Sequence, residues 1–422
     1  EWQWGFGVEN QTDDLYDRRY DIDGQGERRG LYSSQPRRLL SQIFAIGQGD
    51  SYYTDIAVLD FQGLRAGDVD GSLPSVAPVF FGEKYWDMGD YGFASVNVSS
   101  ALLTREIGAD SQRVSVGGDW SKLDILPGGF TVKPFAEIRA DYYALDESVS
   151  GESDVSRAVG NAGVKIAYPL VRPGEIVDVI VEPAVMAAWG FSNVNDPAIP
   201  NEDSLLYEFD EGDLFAANGF GNYDLYEGDG KLAAGVTARA KFKRGPEFST
   251  TLGRRWRSRA DPNFDVASNL DGTSSDWVAE STADFGRALR VDTRVRLDDD
   301  GFKLNRIDAR LSTNYKRLRA VGQYYKINER VSPLGLPDEG IFLRGEMQVT
   351  DRFSLVFGQL RDIVSNLNAK REIGIAYEDD CSRFEIIYQR SELVDRTLGP
   401  SESFQFRFSL KSIGDFGSSE FD

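Results

Sequence analysis

Histidine is absent from the 422 residues, and cysteine occurs once, at Cys381. Without imidazole there is no Ser-His-Asp or Cys-His relay, no His-based zinc site and no imidazole general base, which removes the commonest catalytic apparatus. A single thiol also excludes a Cys-only zinc or iron–sulfur centre and any disulfide within the chain. Long hydrophobic runs are missing too. The longest uncharged stretches, Tyr91–Thr104 and Pro183–Asn195, fall short of the ~18 residues of a membrane-spanning helix. That excludes helical membrane proteins only, because a spanning β-strand needs about 9–11 residues with every second one apolar. The first residue is Glu1, not Met, so a processed or trimmed chain is expected.

What is present is glycine (43 residues), aromatic side chains (12%) and alternation. Too aromatic for disorder, the chain must bury or otherwise occupy those rings. Period two runs from end to end, and no helical stripe exceeds two turns. In Phe130–Tyr142 one face collects Phe130, Val132, Ala136, Ile138 and Tyr142, and the other Lys133, Phe135, Glu137, Arg139 and Asp141. The pleat sends successive side chains to opposite faces, so such a strand is greasy on one side and charged on the other. The pattern returns in 177–189, 232–242, 289–297, 307–315 and 404–410. Short turns such as Leu126-Pro127-Gly128-Gly129 and Asp298-Asp299-Asp300-Gly301 separate these runs, as do long polar stretches, 10–34, 193–230 and 259–275.

Such alternation also describes sandwiches, propellers and soluble barrels. Three features favour a membrane barrel. Many runs reach ~10 residues, beyond the usual globular strand. Trp and Tyr, as at Tyr142, Tyr143 and Trp189, stand where an aromatic girdle belongs. The apolar faces are rich in Ala and Val, and Pro134 and Pro183 are awkward inside a buried sheet. The expected fold is all-β, a large antiparallel transmembrane barrel with roughly 18–20 strands.

The net charge of −21 is uneven. Residues 1–228 hold 16 basic against 38 acidic side chains, whereas 229–330 hold 21 against 14. On the polar strand faces, Lys133, Arg139, Arg239, Lys241, Arg290, Arg294 and Arg310 are candidates to meet anionic or phosphorylated solute. The alternative is that they serve as cross-strand partners of inward acids such as Asp292 and Asp308.

Several segments resemble the C-terminal barrel of the LPS-assembly protein LptD family. The strongest is Pro200-Asn201-Glu202-Asp203-Ser204, followed by Phe209-Asp210, Phe215 and Tyr223-Asp224. It is similar to the family's "PNEDS…FEFDD.NLF…NRF.GYDR.E" loop, with departures at Gly219 and Leu225, each an Arg in the family pattern. Val181-Glu182-Pro183, Asp261-Pro262-Asn263-Phe264, Tyr377-Glu378-Asp379-Asp380-Cys381 and the ending 408–417 add to the resemblance.

The resemblance implies a translocon that inserts lipopolysaccharide into the outer leaflet of the Gram-negative outer membrane, without catalysis and without a cofactor. It implies a 26-strand barrel plugged by an LptE-like lipoprotein, and an N-terminal jellyroll fed by an LptA-like periplasmic bridge. Residues 1–422 are then expected to be the C-terminal part of the barrel, with the jellyroll and earliest strands absent. The family's lateral gate would have its last-strand side at Phe404, Phe406, Phe408 and Leu410, within 403–411. Cys381 is the disulfide candidate, by resemblance, to a cysteine of the N-terminal domain; Ser382 stands where the family has a second cysteine. The acidic residues between Asn201 and Asp213 form a solvated loop by default, or hold divalent cations, or fold inward as a plug; no metal site is expected. Two other readings of the same pattern are a general outer-membrane channel or porin, and a soluble all-β binding protein.

Overall fold

The computed structural model describes all residues except 21–29, 34–37, 147–152, 193–196, 205–206, 333–334 and 411–422. The alternating segments become strands, in chain order β1 (Trp2–Gly7), β2 (Arg38–Gln48), β3 (Tyr52–Gly63), β4 (Ser75–Asp87), β5 (Phe93–Thr104), β6 (Asp110–Ser121) and β7 (Asp124–Ile125). Next come β8 (Thr131–Asp146), β9 (Asp154–Ala167), β10 (Leu170–Arg172), β11 (Val177–Ser192), β12 (Asp229–Phe242), β13 (Glu247–Arg257), β14 (Trp277–Asp284) and β15 (Arg290–Leu297). The last are β16 (Leu304–Tyr315), β17 (Leu318–Ile327), β18 (Asp338–Gln348), β19 (Phe353–Asp362), β20 (Leu367–Glu378), β21 (Ser382–Ser391) and β22 (Ser401–Leu410). Among the described residues, helix is confined to Tyr16–Tyr20 and four three-residue 3₁₀ turns.

All 22 strands belong to one antiparallel sheet in which sequence neighbours pair. Two of them are continuations. β6 breaks after Ser121, opposite Phe135 and Pro134, and resumes as β7 against β8. β9 breaks after Ala167, opposite Ala184 and Pro183, and resumes as β10 against β11. Both breaks follow from proline's missing N–H, since a neighbour facing it loses a ladder bond and leaves the register there. Pro78 acts likewise, lying in the register shift between Val76 and Val79 of β4. Merging each broken pair leaves 20 positions across the sheet.

Connections alternate in length. One end of the sheet carries short turns such as 316–317 and 379–381, and the other carries long loops, including 193–228 and 258–276. In the turn 126–129, Gly128 (φ 94°) and Gly129 (φ 90°) hold a left-handed backbone that other residues would strain to adopt. The two margins of the sheet meet at the long-loop end. Arg396, just before β22, pairs with Asp14 at 2.9 Å and donates to the Leu64 carbonyl at 2.8 Å. These contacts curl the sheet into a large barrel wall, and among the described residues no ladder joins β1 to β22.

Burial sorts the two faces. Outward stand Ile138, Val185, Trp189, Ile373, Phe404 and Phe406, all heavily exposed, while inward neighbours such as Asp141, Tyr143 and Met186 are buried. Tyr143 therefore does not belong to the outer aromatic girdle: next to outward Tyr142, it points inward by the pleat. The last strand keeps its expected apolar face at Phe404, Phe406 and Phe408, with Leu410 closing it, while residue 411 and the rest of the ending lie outside the described residues.

Ile373, 61% exposed at the middle of β20, is expected to face the hydrocarbon. Ile373→Arg should cost about 2–4 kcal/mol of stability, as a cation at the bilayer midplane does. Urea unfolding in lipid vesicles checks this, and an unchanged midpoint would contradict the lipid-facing assignment.

Candidate functional site

Inside the curl, the strands β6 to β16 set single charged side chains among small and apolar inward residues, and the long loops fold back onto them. The acidic loop is not solvated. Its residues 207–228 and the loop 258–276 pack an apolar cluster of Phe209, Leu214, Phe220, Phe264 and Leu270 against Met186, Ala233 and Val278 of the wall. Fully burying such side chains contributes roughly 1.5–3 kcal/mol each.

Around that cluster lie three ionic groups. In the first, Glu227 is wholly buried and takes Arg255 Nη1 at 2.5 Å and Arg257 Nε at 3.2 Å, with the Gly219 N–H donating to it at 2.9 Å. Arg255, also without exposed surface, donates further to the carbonyls of Asp213 (2.7 Å) and Ala216 (2.7 Å), and Arg257 to that of Leu270 (2.6 Å). Two arginines of β13 thus staple two loops to the wall. Lys231 joins them through the Glu227 carbonyl and Asn161, each at 2.5 Å. Gly219 permits this closeness, since a Cβ there would sit 2.6 Å from Leu270 and 2.8 Å from the Glu227 carboxylate. Burial alone would raise the Glu227 carboxyl, yet Arg255, Lys231 and Arg257 outweigh it and hold the group below its ordinary value.

In the second, the two halves of the Pro200–Asp224 motif clasp each other. Asp224 accepts from the N–H groups of Glu202 (2.8 Å) and Asp203 (3.2 Å), and Asp203 accepts from those of Tyr223 and Asp224 (both 3.1 Å). Asn201 caps the Ser204 N–H at 2.9 Å. Wall arginines hold the clasp: Arg113 reaches Asp203 at 2.8 Å and Asp224 at 3.3 Å, Arg105 reaches Glu202 at 2.6 Å, and Arg157 meets Asp141 at 2.8 Å and the Asp224 carbonyl at 2.8 Å. Tyr143 donates its hydroxyl to Asp224 at 3.1 Å. Burial and the Asp203 charge push the Asp224 carboxyl up, whereas Arg113 and two backbone donors overcome burial at Asp203 and keep it low. In the third, Arg296 bridges Asp276 (2.7 Å) and Glu208 (3.2 Å), and Arg306 also closes on Glu208.

Of the cations expected to meet phosphate, Arg139 donates to the Tyr223 carbonyl at 2.7 Å and Arg294 pairs with Glu211 at 3.1 Å, so both serve the loop. Arg290 pairs with Asp292 at 2.9 Å, and Arg239 and Lys241 lie 3.6 and 4.0 Å from Glu247. Arg310 stands directly across from Asp292 in the β15–β16 ladder, and Lys133 across from Lys165 in the β8–β9 ladder. Phe215 lies under the Lys165 ammonium, 4.4 Å from its centroid, and Asp210 accepts from the Gly212 N–H at 2.8 Å. Asp298, Asp299 and Asp300 bring carboxylate oxygens within 4.8 Å of one another, but Asp298 binds Arg330 and Asp299 binds Arg254. Cys381 is exposed in the short turn 379–381, its N–H on Asp379 at 2.9 Å. Sequence reading passes over Arg113, Arg157, Arg255 and Arg257. Their signal was an arginine on the inward parity of an otherwise small or apolar face.

Comparison with known proteins gives a family match. Residues 1–355 match the family LptD, LPS transport system D. LPS-assembly protein LptD of Cupriavidus pinatubonensis (strain JMP 134 / LMG 1197) is 24% identical over 235 residues, 53% of this chain and 28% of that protein. The chain thus spans less than a third of the length of that relative. Among solved structures, the siderophore receptor PirA from Acinetobacter baumannii covers 88% of this chain and 70% of its own at 8% identity and a TM-score of 0.39. The FrpB iron transporter from Neisseria meningitidis (F3-3 variant) covers 90% and 73% at 11% identity and 0.38. Likeness that loose adds nothing to the assignment.

Glu227→Gln should cost about 3–5 kcal/mol, because it leaves buried arginines uncompensated. With its folded value depressed, the Glu227 carboxylate contributes stability fully above its ordinary value of 4.5 and loses it as pH falls below. Hydrogen exchange at the Gly219 amide, corrected for intrinsic rate, should therefore show protection that collapses in acid in the parent and is already weak, without that collapse, in the variant.

Proposed function

The chain belongs to the LPS transport system D (LptD) family, a family of outer-membrane proteins, and from that premise we propose that it forms the C-terminal barrel part of a translocon that inserts lipopolysaccharide into the outer leaflet. The match over residues 1–355 carries the reading. An amphiphile needs two environments side by side, a wet lumen for sugars and phosphates and a route through the wall for acyl chains. A charged inner face and an apolar outer face agree with that requirement.

In this reading the short-turn end faces the periplasm and the long loops face outward, the usual arrangement of such barrels. The lumen receives an LptE-like lipoprotein, and an LptA-like bridge delivers substrate through a jellyroll outside these residues. Phe404, Phe406, Phe408 and Leu410 form the last-strand side of the gate. Cys381, exposed at the short-turn end, is the proposed partner of a periplasmic cysteine elsewhere in the protein, in an oxidising compartment. Non-reducing peptide mapping of assembled full-length protein should find it bonded; a free thiol there would sink the cross-link while leaving transport open.

The inward loop argues against a general porin. The full-length protein with its lipoprotein partner, reconstituted in vesicles, should deliver lipopolysaccharide while leaking little small solute. Arg255→Ala, which frees the loop 207–228, should raise solute leakage several-fold. Ready solute flux through the parent protein without lipopolysaccharide delivery would favour the porin instead.

A further inference from the structure

We propose that residues 123–125, on the free margin of the β7–β8 hairpin, are a docking edge for an extended strand of a separate periplasmic protein, which adds to the hairpin through main-chain hydrogen bonds. β6 ends at Ser121, opposite Phe135, whereas β7 and β8 continue as a pair as far as Ile125 opposite Thr131. Four further residues carry this hairpin about 13 Å beyond the end of β6 at strand spacing. Within it Lys122 donates to the Pro134 carbonyl at 3.1 Å and Leu126 to the Phe130 carbonyl at 2.8 Å. An antiparallel ladder alternates residues bonded to the partner strand with residues whose N–H and C=O point the other way. Leu123 and Ile125, the odd-numbered members between those two donors, therefore aim their main-chain groups away from β8. On that side the turn 88–92 abuts Ser121 and Lys122, and the β5–β6 ladder ends with Phe93 opposite Ser121. Among the described residues no strand meets β7 from there.

The side chains of the same two residues are bare. Leu123 is 64% and Ile125 74% exposed, and Ile125 shares the face of Thr131, the lumen side of the wall and away from lipid. Hydrocarbon does not hold unpaired main-chain groups. Water satisfies them but leaves two large apolar side chains uncovered. A strand supplies both needs, main-chain partners at ladder spacing and side chains on the same face. Sheets blunt such margins with charge, proline or a covering segment. Here the charges cancel locally, Lys122 pairing with Asp124 at 2.9 Å, and Pro127 stands in the turn beyond the edge. β10, the other strand that follows a proline break, shows the contrast: Phe130 stacks on Tyr168 at 4.3 Å and leans the turn 126–130 against its start. A second copy of the chain fits poorly, because copies share one orientation in the membrane. A two-fold axis along the membrane normal makes tilted strands cross instead of pairing.

The inference rests on the reading that the short-turn end faces the periplasm. Its test uses the full-length protein with its lipoprotein partner in vesicles of phosphatidylethanolamine and phosphatidylglycerol, read by hydrogen exchange. The probe is a short peptide of alternating Val and Thr between terminal lysines. Saturating peptide should slow exchange at the Leu123 and Ile125 amides by about tenfold or more, as new main-chain bonds do. Lys122 and Leu126, already bonded to β8, should not change. The same peptide N-methylated at every residue should not bind. Ile125→Pro removes one donor at an edge position where proline is tolerated and should weaken peptide binding about tenfold, the scale of one main-chain bond. Ile125→Lys keeps the donor, adds a guarding charge and should weaken binding several-fold. Slow exchange at both amides in the parent before peptide is added means that lipid, the lipoprotein or another part of the same protein covers the edge, and overturns the proposal. Protection seen only at doubled molecular mass assigns the edge to a second copy and overturns it too. So does equal binding of the N-methylated peptide, which marks plain apolar adsorption, or unchanged binding in both variants. Peptide-dependent protection in a preparation that fails to deliver lipopolysaccharide would count against transport and leave the edge standing.

Discussion

Glu227, with no exposed surface, sits between Arg255, Arg257 and Lys231, and those three charges are tolerable inside the sheet only because it is there. Taking one ion out of water costs several kcal/mol, recovered only when geometry and further hydrogen bonds are good. Here the recovery comes from two loops. Arg255 and Arg257 direct further donors at carbonyls of 213–216 and 270, so neutralising the wall and docking the loops are one event. The apolar cluster of Phe209, Leu214 and Phe220 forms against Met186 and Ala233 because that event brings it there.

The same pleat produces opposite solvents on the two sides. Outward residues such as Ile138, Trp189 and Phe406 stay exposed, which for a soluble protein would be an aggregation hazard and for a membrane wall is the condition of insertion. Inward residues carry charge that lipid would reject. A molecule with a charged head and apolar chains meets both environments across a single strand. Arg396, just before β22, reaches Asp14 and Leu64 at the long-loop end.

Much of this was legible from residue order. The alternation of 130–142 and 177–189 became β8 and β11, and even the strand interruptions were written in Pro134 and Pro183, although their effect appears in the neighbouring strand and so needs the register to be seen. The motif Pro200–Ser204 with Tyr223–Asp224 was visible as a family signature. Its physical content, reciprocal Asp-to-amide bonds across a 20-residue span, was not, because acidity in a loop reads as solvation until its partners Arg105 and Arg113 are known.

By itself, then, the sequence determined the all-β class, the greasy and polar faces and the family, because each follows from short-range periodicity or from contiguous motif residues. Tertiary structure alone decided which charges cancel. Arg255 and Glu227 are 28 residues apart, Arg113 and Asp224 are 111 apart, and Arg396 and Asp14 are 382 apart. Pairing over such separations depends on how far the sheet has curled, a property of all its strands together that no local pattern encodes. The single cysteine and the absent histidines excluded chemistries from the outset; the curl decided where the remaining charge is spent.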